Sequence, residues 1–356
     1  MLPVQRLLRM VAQRHSGPSN LAIPAALEYM QKLSRSDAAF FSQNPMLATR
    51  LEQVAAHDPR YIAHEYLNAV WEPSSFDQVS AAMQEARCGF VGSATLVDNI
   101  DALAVPPGVG KLIGETTDAV MREMLRDIGA ARAFRRDVYR RGTDQPVAGE
   151  HGEMLEAITI TGLGREAERD IQIATGIGQA TASPEIYHPV LARLTAGPLG
   201  MRELRAMPHM QGQPLSEALQ VVTFLTAGGF AHPSVAGPLD DAVLAASLRL
   251  NRQIALGNRR GGVTSFLAAP RLGSGVHIDP VETLLLDELA APAPHDIGAL
   301  TGRVLAILAK TGRSVLRDGV TQTDPAAARA SMMETVTRIV NQRVPVLRRL
   351  GILPAG

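Results

Sequence analysis

The stretch Tyr61-Ile-Ala-His-Glu-Tyr-Leu-Asn-Ala-Val-Trp-Glu-Pro73 determines how the first part of the chain is interpreted. It follows Asp58-Pro59, and a proline in the first turn after an aspartate is typical of a helix start. Apolar side chains then recur at helical spacing, at Ile62, Tyr66, Leu67 and Val70. The stretch therefore predicts a helix, on which His64 and Asn68 share one face.

Around this helix, the first 142 residues are predicted to be mainly helical. The expected capping residues are Asn20, Asp37, Ser74 or Ser75, and Thr116 or Thr117. Asn44-Pro45 is expected to interrupt the helix that follows Asp37. Two segments favour extended structure instead: Cys88–Ala94, which is rich in small residues, and the part of Phe134–Gly142 around Val138 and Tyr139.

Residues 143–183 are predicted to link two domains. Thr143–Glu156 is polar and aperiodic, which is typical of a boundary. Ala157–Ile160 and Asp170–Thr175 contain β-branched residues on either side of a turn region, so we expect them to form a hairpin.

Residues 184–350 form the second predicted domain. Its first part contains three expected helices, Glu185–Thr195, Gly200–Met207 and Ser216–Ala227, followed by expected strands at Thr264–Ala268 and Gly275–Ile278. This order has a winged-helix outline. Longer helices are expected in the remainder of this region: Asp240–Leu256, Pro280–Leu289, Asp296–Arg317 and Pro325–Leu350. The fold class is therefore mainly α with small β elements: a helical domain at 1–142, a linker with a hairpin at 143–183, and a winged-helix-like, helical domain at 184–350.

Composition excludes several classes of protein. The 356 residues contain 35 basic and 35 acidic side chains, and a neutral chain is a poor nucleic-acid binder because phosphate binding needs excess positive charge. The expected recognition helix of the winged-helix part, Ser216–Ala227, contains no Arg or Lys. Cys88 is the single cysteine, so an intrachain disulfide is excluded. No apolar run is long enough to cross a membrane and no signal peptide is recognisable, so we expect a cytoplasmic protein.

Motifs for cofactors and catalysis are incomplete. Thr175-Gly-Ile-Gly178 and Gly162-Leu-Gly164 lack the third glycine of a dinucleotide-binding loop, and turn glycines are the preferred interpretation. His64-Glu65 lacks the second histidine of a zinc-binding helix, because position 68 is Asn. Asp98, Asn99 and Asp101 are interpreted as helix-capping residues. We therefore expect no catalytic residue, no bound cofactor and no metal in this chain.

Two polar clusters leave alternatives open. Arg132, Arg135, Arg136, Arg140 and Arg141 crowd into ten residues, and they form either a solvated or salt-bridged face or a strip that binds an anion or a partner. The polar groups around His64 form either a buried network where helices meet or a patch that lines a substrate groove. The candidate substrate- or partner-binding residues are His64, Glu65, Asn68, Trp71, Asp98, Asn99 and Arg135.

Three segments together resemble the methyltransferase regulatory domain family. They are Tyr61–Pro73 followed by Phe76, then Phe90-Val-Gly-Ser-Ala-Thr-Leu-Val-Asp-Asn-Ile-Asp101, then Phe134-Arg-Arg-Asp-Val-Tyr-Arg-Arg-Gly142. Residues 157–350 are similar, more loosely, to the C-terminal region of the same architecture, which includes bacterial lysine methyltransferases acting on outer-membrane proteins. The resemblance implies a multi-domain enzyme that uses S-adenosylmethionine, with its Rossmann-like catalytic domain N-terminal to the regulatory domain.

The sequence therefore predicts the regulatory and substrate-recognition portion of a methyltransferase, lacking the catalytic domain. Its implied partners are a methyltransferase catalytic domain, in the same chain or in a second one, and a protein substrate; nucleic acid and membrane are not expected, and a homo-oligomer is compatible with the sequence. The alternative is a stand-alone winged-helix protein for protein interaction or transcription. A late start of the gene and a genuinely split subunit fit the sequence equally well, and the methyl acceptor is open.

Overall fold

The chain is mainly helical with short antiparallel strands, which confirms the predicted fold class. The computed structural model describes residues 2–142, 148–165, 171–317 and 320–355. Its contacts divide the chain into two compact units, Met1–Val79 and Ser80–Gly356. The predicted domain limits at 142 and 183 stay predictions, and part of the predicted linker, 143–147, lies outside the described residues.

Helices build the first unit. They are α1 (Leu2–Ala12), α2 (Ser19–Ser34), α3 (Ala39–Ser42), α4 (Pro45–Ala55) and α5 (Pro59–Tyr66), with α6 (Phe76–Glu85) running past the division. Asp58 caps α5 as predicted, because its carboxylate accepts a hydrogen bond from the Arg60 amide at 2.7 Å. The fully buried side chains of Ile23, Met30 and Ile62 belong to one core in this unit.

Two predicted caps in this unit are wrong. Asn20 lies inside α2, which begins at Ser19 directly after Pro18. Asp37 has a left-handed φ of 54° and belongs to the turn before α3, whose N-cap is Ala38. A short polar side chain tolerates that left-handed conformation better than most residues, so Asp37 serves the turn rather than the helix.

The second unit begins with a two-stranded ribbon and four short helical segments. These are β1 (Cys88–Ser93), a 3₁₀ turn at Leu96–Asn99, α7 (Asp101–Ala104), α8 (Pro107–Glu115), α9 (Ala119–Gly129) and β2 (Asp137–Arg141). β1 and β2 pair antiparallel, with Phe90 opposite Tyr139, so both segments that favoured extended structure are strands. The predicted Thr116 or Thr117 cap is wrong: Asp118 caps α9 by accepting from the Met121 amide at 2.7 Å.

A three-stranded sheet lies in the middle of the second unit. The elements are α10 (Ala148–Glu156), β3 (Thr159–Gly162), β4 (Gln172–Thr175), β5 (Gly178–Thr181), α11 (Pro184–Ala196), β6 (Leu199–Gly200), α12 (Met201–Ala206), α13 (Leu215–Ala227) and β7 (Ala231–Pro233). The sheet order is β6-β3-β7, while β4 pairs with β5. The predicted hairpin between Ala157–Ile160 and Asp170–Thr175 is therefore wrong. Its first strand pairs with distant strands, a choice that local sequence does not specify.

The last part of the second unit is helical around a second hairpin. Its elements are α14 (Asp241–Asn258), β8 (Phe266–Ala269), β9 (Ser274–His277), α15 (Pro280–Leu284), α16 (Leu286–Leu289), α17 (Ile297–Lys310), β10 (Leu316–Arg317), β11 (Val320–Thr321), α18 (Pro325–Arg338), a π-helical turn at Ile339–Arg343, and α19 (Val344–Arg349). β8 and β9 form a sheet of their own, separate from the three-stranded sheet, so the winged-helix outline is not confirmed. The helix expected at Asp296–Arg317 ends at Lys310, where Thr311 and Gly312 form a turn.

Two apolar cores stabilise the second unit. One lies around α11 and α13 and includes Val97 from the 3₁₀ turn; the other lies around α17 and α19. The loop after β3 touches the second core through Gly164, which has a positive φ of 71°. A Cβ atom on Gly164 would lie 2.5 Å from the Cγ2 atom of Val346, so glycine is required there both for conformation and for space.

We expect Gly164→Ala to lower the free energy of unfolding by about 1–3 kcal/mol, since it adds backbone strain and a steric clash. Thermal unfolding measures the change. Gly302→Ala is the matched control: Gly302 lies inside α17, and a Cβ atom added there would have no atom within 4 Å, so alanine should be neutral or stabilising. Equal melting temperatures for Gly164→Ala and the unsubstituted protein would contradict the close approach.

Candidate functional site

Four of the seven candidate residues lie at the end of α5 and just after it. His64, Glu65 and Asn68 are exposed or partly exposed, and the Trp71 side chain is half-buried. The Nδ2 atom of Asn68 donates to the carbonyl oxygen of His64 at 2.6 Å, which ends the helix earlier than predicted. The interpretation of these groups as a buried network between helices is wrong, because none of the four is buried.

Helix α1 holds this segment in place. The Nε2 atom of Gln5, a buried side chain, donates to the carbonyl oxygen of Tyr66 at 2.7 Å, and the guanidinium of Arg9 donates to that of Ala69 at 3.2 Å. The ring of Trp71 packs against the ring of Tyr66, with centroids 6.2 Å apart. We call the surface formed by His64, Glu65, Asn68 and Trp71 the α5 patch.

The other three candidates, Asp98, Asn99 and Arg135, lie in the second unit. Asn99 closes the 3₁₀ turn onto β1, because its Oδ1 atom accepts from the Ser93 amide and its Nδ2 atom donates to the Ser93 carbonyl, both at 2.9 Å. Asp98 pairs with the guanidinium of Arg132 at 3.3 Å. The capping role predicted for Asp98, Asn99 and Asp101 is wrong, since the N-cap of α7 is Ile100 and makes no side-chain hydrogen bond.

Arg135 is the centre of a set of ion pairs. Its guanidinium contacts Asp137 at 2.9 Å, Asp127 at 2.6 Å and Glu123 at 2.7 Å, and its side chain is only 14% exposed. Arg126 joins the same set through Asp101, at 2.7 Å, and through Glu123, while Arg132 also lies 3.6 Å from Asp127. We call this set the arginine network; its members are Asp98, Asp101, Glu123, Arg126, Asp127, Arg132, Arg135 and Asp137.

Two cations of the arginine network, Arg126 and Arg135, have raised pKa values. Burial alone would lower the pKa of Arg135, but hydrogen bonds to Asp137, Glu123 and Asp127 raise that pKa above its ordinary value. A hydrogen bond to Asp101 raises the pKa of Arg126 in the same way. The charges of these arginines are therefore constant over the physiological pH range.

The arginine-rich segment is divided between two environments. Arg132 and Arg135 point into the network, whereas Arg136, Arg140 and Arg141 lie outside it. Arg136 donates to the hydroxyl of Thr95 at 2.9 Å. The salt-bridged alternative thus describes two of the five arginines, and the other three fit either a solvated face or a strip for an anion or partner.

The structure brings Asp98, Asn99 and Arg135 into one region, and it places His64, Glu65, Asn68 and Trp71 together on the other unit. Sequence reasoning missed Glu123, Arg126 and Asp127, which all belong to the arginine network. A local signal existed, because Glu123 lies three residues before Arg126 and four before Asp127, which places all three on neighbouring turns of α9. It also missed a cavity lined by Arg165, His188 and Arg349, whose residues are too far apart in sequence to give any signal.

The described part of the chain contains neither a metal-ligand cluster nor a membrane-spanning helix. Within 2–142, 148–165, 171–317 and 320–355, no three His, Cys, Asp or Glu side chains are grouped as metal ligands would be. None of the helices in these ranges is long and apolar enough to cross a membrane.

Residues 58–141 match the family described as predicted methyltransferase regulatory domain, so this part of the chain is such a domain and the resemblance found in the sequence is confirmed. The matched range contains α5, the β1–β2 ribbon and the whole arginine network. The protein is therefore related to methyltransferases.

Known proteins extend the similarity to nearly the whole chain. An uncharacterized protein of Synechocystis sp. is 27% identical over 350 residues, which are 98% of this chain and 68% of the relative. The structure of PKMT2 from Rickettsia typhi has a TM-score of 0.57 at 16% identity and covers 99% of this chain and 72% of that one. PKMT2 in complex with AdoHcy gives the same TM-score at 15% identity, with 98% and 72% covered. At these identities the solved structures show a shared fold.

We expect Arg135→Met to lower the free energy of unfolding by about 3 kcal/mol, because three half-buried carboxylates would lose their shared cation. The melting temperature measures this loss. Arg140→Met is the control, since Arg140 is an exposed arginine on β2, the strand that begins two residues after Arg135. Equal, small effects of both substitutions would show that the network does not stabilise the ribbon.

A substitution at Tyr139, in the same region, is expected to raise the stability of the protein. Its hydroxyl is buried without a hydrogen-bond partner among the described residues, and burial raises its pKa. An unsatisfied buried hydroxyl is unfavourable, so Tyr139→Phe should stabilise the protein by about 1 kcal/mol. Tyr61→Phe, at a half-exposed ring, should leave the melting temperature unchanged. A lower melting temperature for Tyr139→Phe would mean that the hydroxyl has a stabilising partner.

Proposed function

We propose that this chain is the regulatory and substrate-recognition portion of a protein lysine methyltransferase that uses S-adenosylmethionine. The observation that carries the proposal is the family match over residues 58–141. The fold shared with PKMT2 over 99% of the chain supports the lysine methyltransferase class. We further propose that it is a bacterial, cytoplasmic protein and that the methyl acceptor is a protein.

Neither of the two Gly-x-Gly segments fits an S-adenosylmethionine site. Thr175 and Gly178 are paired residues of the tight turn between β4 and β5, and a hairpin turn is not followed by the helix that a Gly-rich nucleotide loop needs. Gly164 is a glycine because the backbone approaches Val346 closely there, which explains this residue without a cofactor. We therefore propose that the catalytic domain lies outside residues 1–356, either in the same polypeptide or in a partner chain.

The α5 patch is the proposed contact with the protein substrate or the catalytic domain. It combines an aromatic ring, an amide, a carboxylate and an imidazole on one accessible surface, which is a composition suited to peptide recognition. Asp98, Asn99 and Arg135 already make contacts inside the regulatory domain. Their proposed part in binding is to fix the ribbon, and a direct contact of theirs with a partner stays a prediction.

The stand-alone winged-helix alternative has less support. The expected recognition helix α13 directs Ala218, Val221, Val222, Phe224 and Leu225 into the core. A helix that is buried in this way and lacks cations is a poor reader of a DNA groove.

Titration calorimetry of residues 1–356 with S-adenosylmethionine tests the assignment of the cofactor site. We expect no binding at ligand concentrations up to about 1 mM, which corresponds to less than about 4 kcal/mol of affinity. Stoichiometric binding at micromolar concentration would contradict it.

Methyl transfer tests the α5 patch. In the enzyme that combines this chain with its catalytic domain, Trp71→Ala and Asn68→Ala should slow transfer of labelled methyl groups to limiting protein substrate by about tenfold, since contacts of this kind contribute about 1–2 kcal/mol. Melting temperatures should stay close to that of the unsubstituted enzyme. The control is Glu52→Ala, at an exposed position of α4. Unchanged transfer by both patch variants would refute recognition by this surface.

A further inference from the structure

A cavity of about 530 Å³ lies between the two cores of the second unit. Its sides are the end of β3 with Gly164 and Arg165 after it, helix α11, and the π-helical turn that leads into α19. Leu191, Leu194, Phe230 and Val346 supply apolar walls, and Arg165, His188 and Arg349 supply polar ones. A concave site with apolar walls and a few polar groups is the usual form of a small-ligand site.

The charge of the cavity is one-sided. Two arginines line it, and its described lining residues include no carboxylate. Arg165 is held by neutral groups: it donates to the carbonyl oxygen of Gly228, and its guanidinium carbon lies 4.5 Å from the centroid of the Phe230 ring. These contacts orient the guanidinium, and neither of them carries a negative charge.

Among the described residues, the charge of Arg349 has less compensation from neighbouring groups than that of Arg165. It donates through Nη1 to the carbonyl oxygen of Thr195, while its Nε atom is buried without a hydrogen-bond partner among the described residues. Burial lowers the pKa of its guanidinium, as expected for a desolvated charge that has no ion pair within the described residues.

Other half-buried arginines of this unit pair with carboxylates, unlike Arg349 among the described residues. Arg135 pairs with three carboxylates, Arg259 with Asp287 at 2.9 Å, and Arg343 with the buried Glu282 at 2.6 Å. A buried cation without its anion is strongly unfavourable. Arg349 therefore departs from the pattern of these three arginines, and it does so at the wall of a cavity.

The backbone around the cavity is specialised. The π-helical turn at Ile339–Arg343 lies just before α19, and such turns are rare and frequent at functional sites. Arg343 anchors this turn to Glu282 and also donates to the carbonyl oxygen of Leu163. Gly164 lets the opposite wall approach Val346, so both walls are fixed by contacts of their own.

We propose that this cavity binds a carboxylate carried on a small apolar group. A guanidinium recognises a carboxylate through paired hydrogen bonds, and the walls of Leu191, Phe230 and Val346 would cover the apolar part. The same chemistry is offered by a free organic acid and by the C-terminus of a polypeptide that ends in an apolar residue. This site does not depend on the proposed methyltransferase role.

Binding to residues 1–356 tests the proposal with matched pairs of probes. The first pair is 3-phenylpropanoate and 3-phenylpropanamide; the second is N-acetyl-Ala-Ala-Phe and its C-terminal amide. In calorimetry at low salt, the acid of at least one pair should bind one-to-one and at least about tenfold more tightly than its amide, a difference of about 1.4 kcal/mol. Binding of the first acid alone indicates a free organic acid, and tighter binding of the second indicates a polypeptide C-terminus.

Substitutions locate the binding. Arg349→Met keeps the apolar stem and removes the charge. It should weaken binding of the acid probe by at least about tenfold and leave the weak binding of the amide probe unchanged. Arg202→Met is the control, because Arg202 is an exposed arginine of the same unit outside the cavity. Circular dichroism confirms that each variant is folded; if Arg349→Met is not, Arg165→Met replaces it.

Three results would overturn the proposal. The first is that neither acid binds to the unsubstituted chain. The second is that acid and amide bind equally, which would make the cavity a general apolar site. The third is that Arg202→Met weakens the acid as much as the cavity variants, which would assign the effect to overall charge.

Discussion

The guanidinium of Arg135, surrounded by Asp137, Asp127 and Glu123, is the interaction on which the regulatory domain depends. It connects β2 to α9, and β2 in turn holds β1 by antiparallel pairing. A two-stranded ribbon is marginally stable by itself. The ion pairs, together with the edge-to-face contact of Phe90 and Tyr139 at 5.7 Å, supply the support that a third strand would otherwise give.

This constraint separates the structural polar groups of the domain from the available ones. The carboxylates of α9 engage Arg126, Arg132 and Arg135, so two cations of the arginine-rich segment are used within the fold. The α5 patch has the opposite character, because its groups are accessible while its backbone is tied down by Gln5 and Arg9. A fixed backbone with accessible polar and aromatic side chains is a suitable surface for recognition.

The sequence predicted whether most segments are helices or strands, because the signals for these lie within the segments themselves. The proline after Asp58 began a helix, small and β-branched residues marked both strands of the ribbon, and the three helices of the 184–227 region were found within one or two residues. The resemblance carried by Tyr61–Pro73, Phe90–Asp101 and Phe134–Gly142 was confirmed by the family match over 58–141. Part of the site followed from this, since the α5 patch begins inside a predicted helix.

What could not be predicted depends on distant partners. β3 pairs with β6 and β7 rather than with the nearer β4, and nothing within β3 specifies that choice. The partners of Arg126 include Asp101, 25 residues away, and the cavity combines residues from Gly162 to Arg349. Two predicted caps failed for a different reason: Asp37 adopts a left-handed backbone conformation in a turn, and the carboxylate of Asp101 pairs with Arg126.

Amide hydrogen exchange of the β1–β2 ribbon tests most directly whether the arginine network holds the regulatory domain together. In the unsubstituted chain, the ribbon amides around Phe90 and Tyr139 should be protected to the same degree as those of α9. Glu123→Gln keeps the shape of the side chain and removes its charge, and it should lower ribbon protection by about tenfold or more while α4 is unaffected. Ribbon protection that is unchanged by Glu123→Gln would contradict the account.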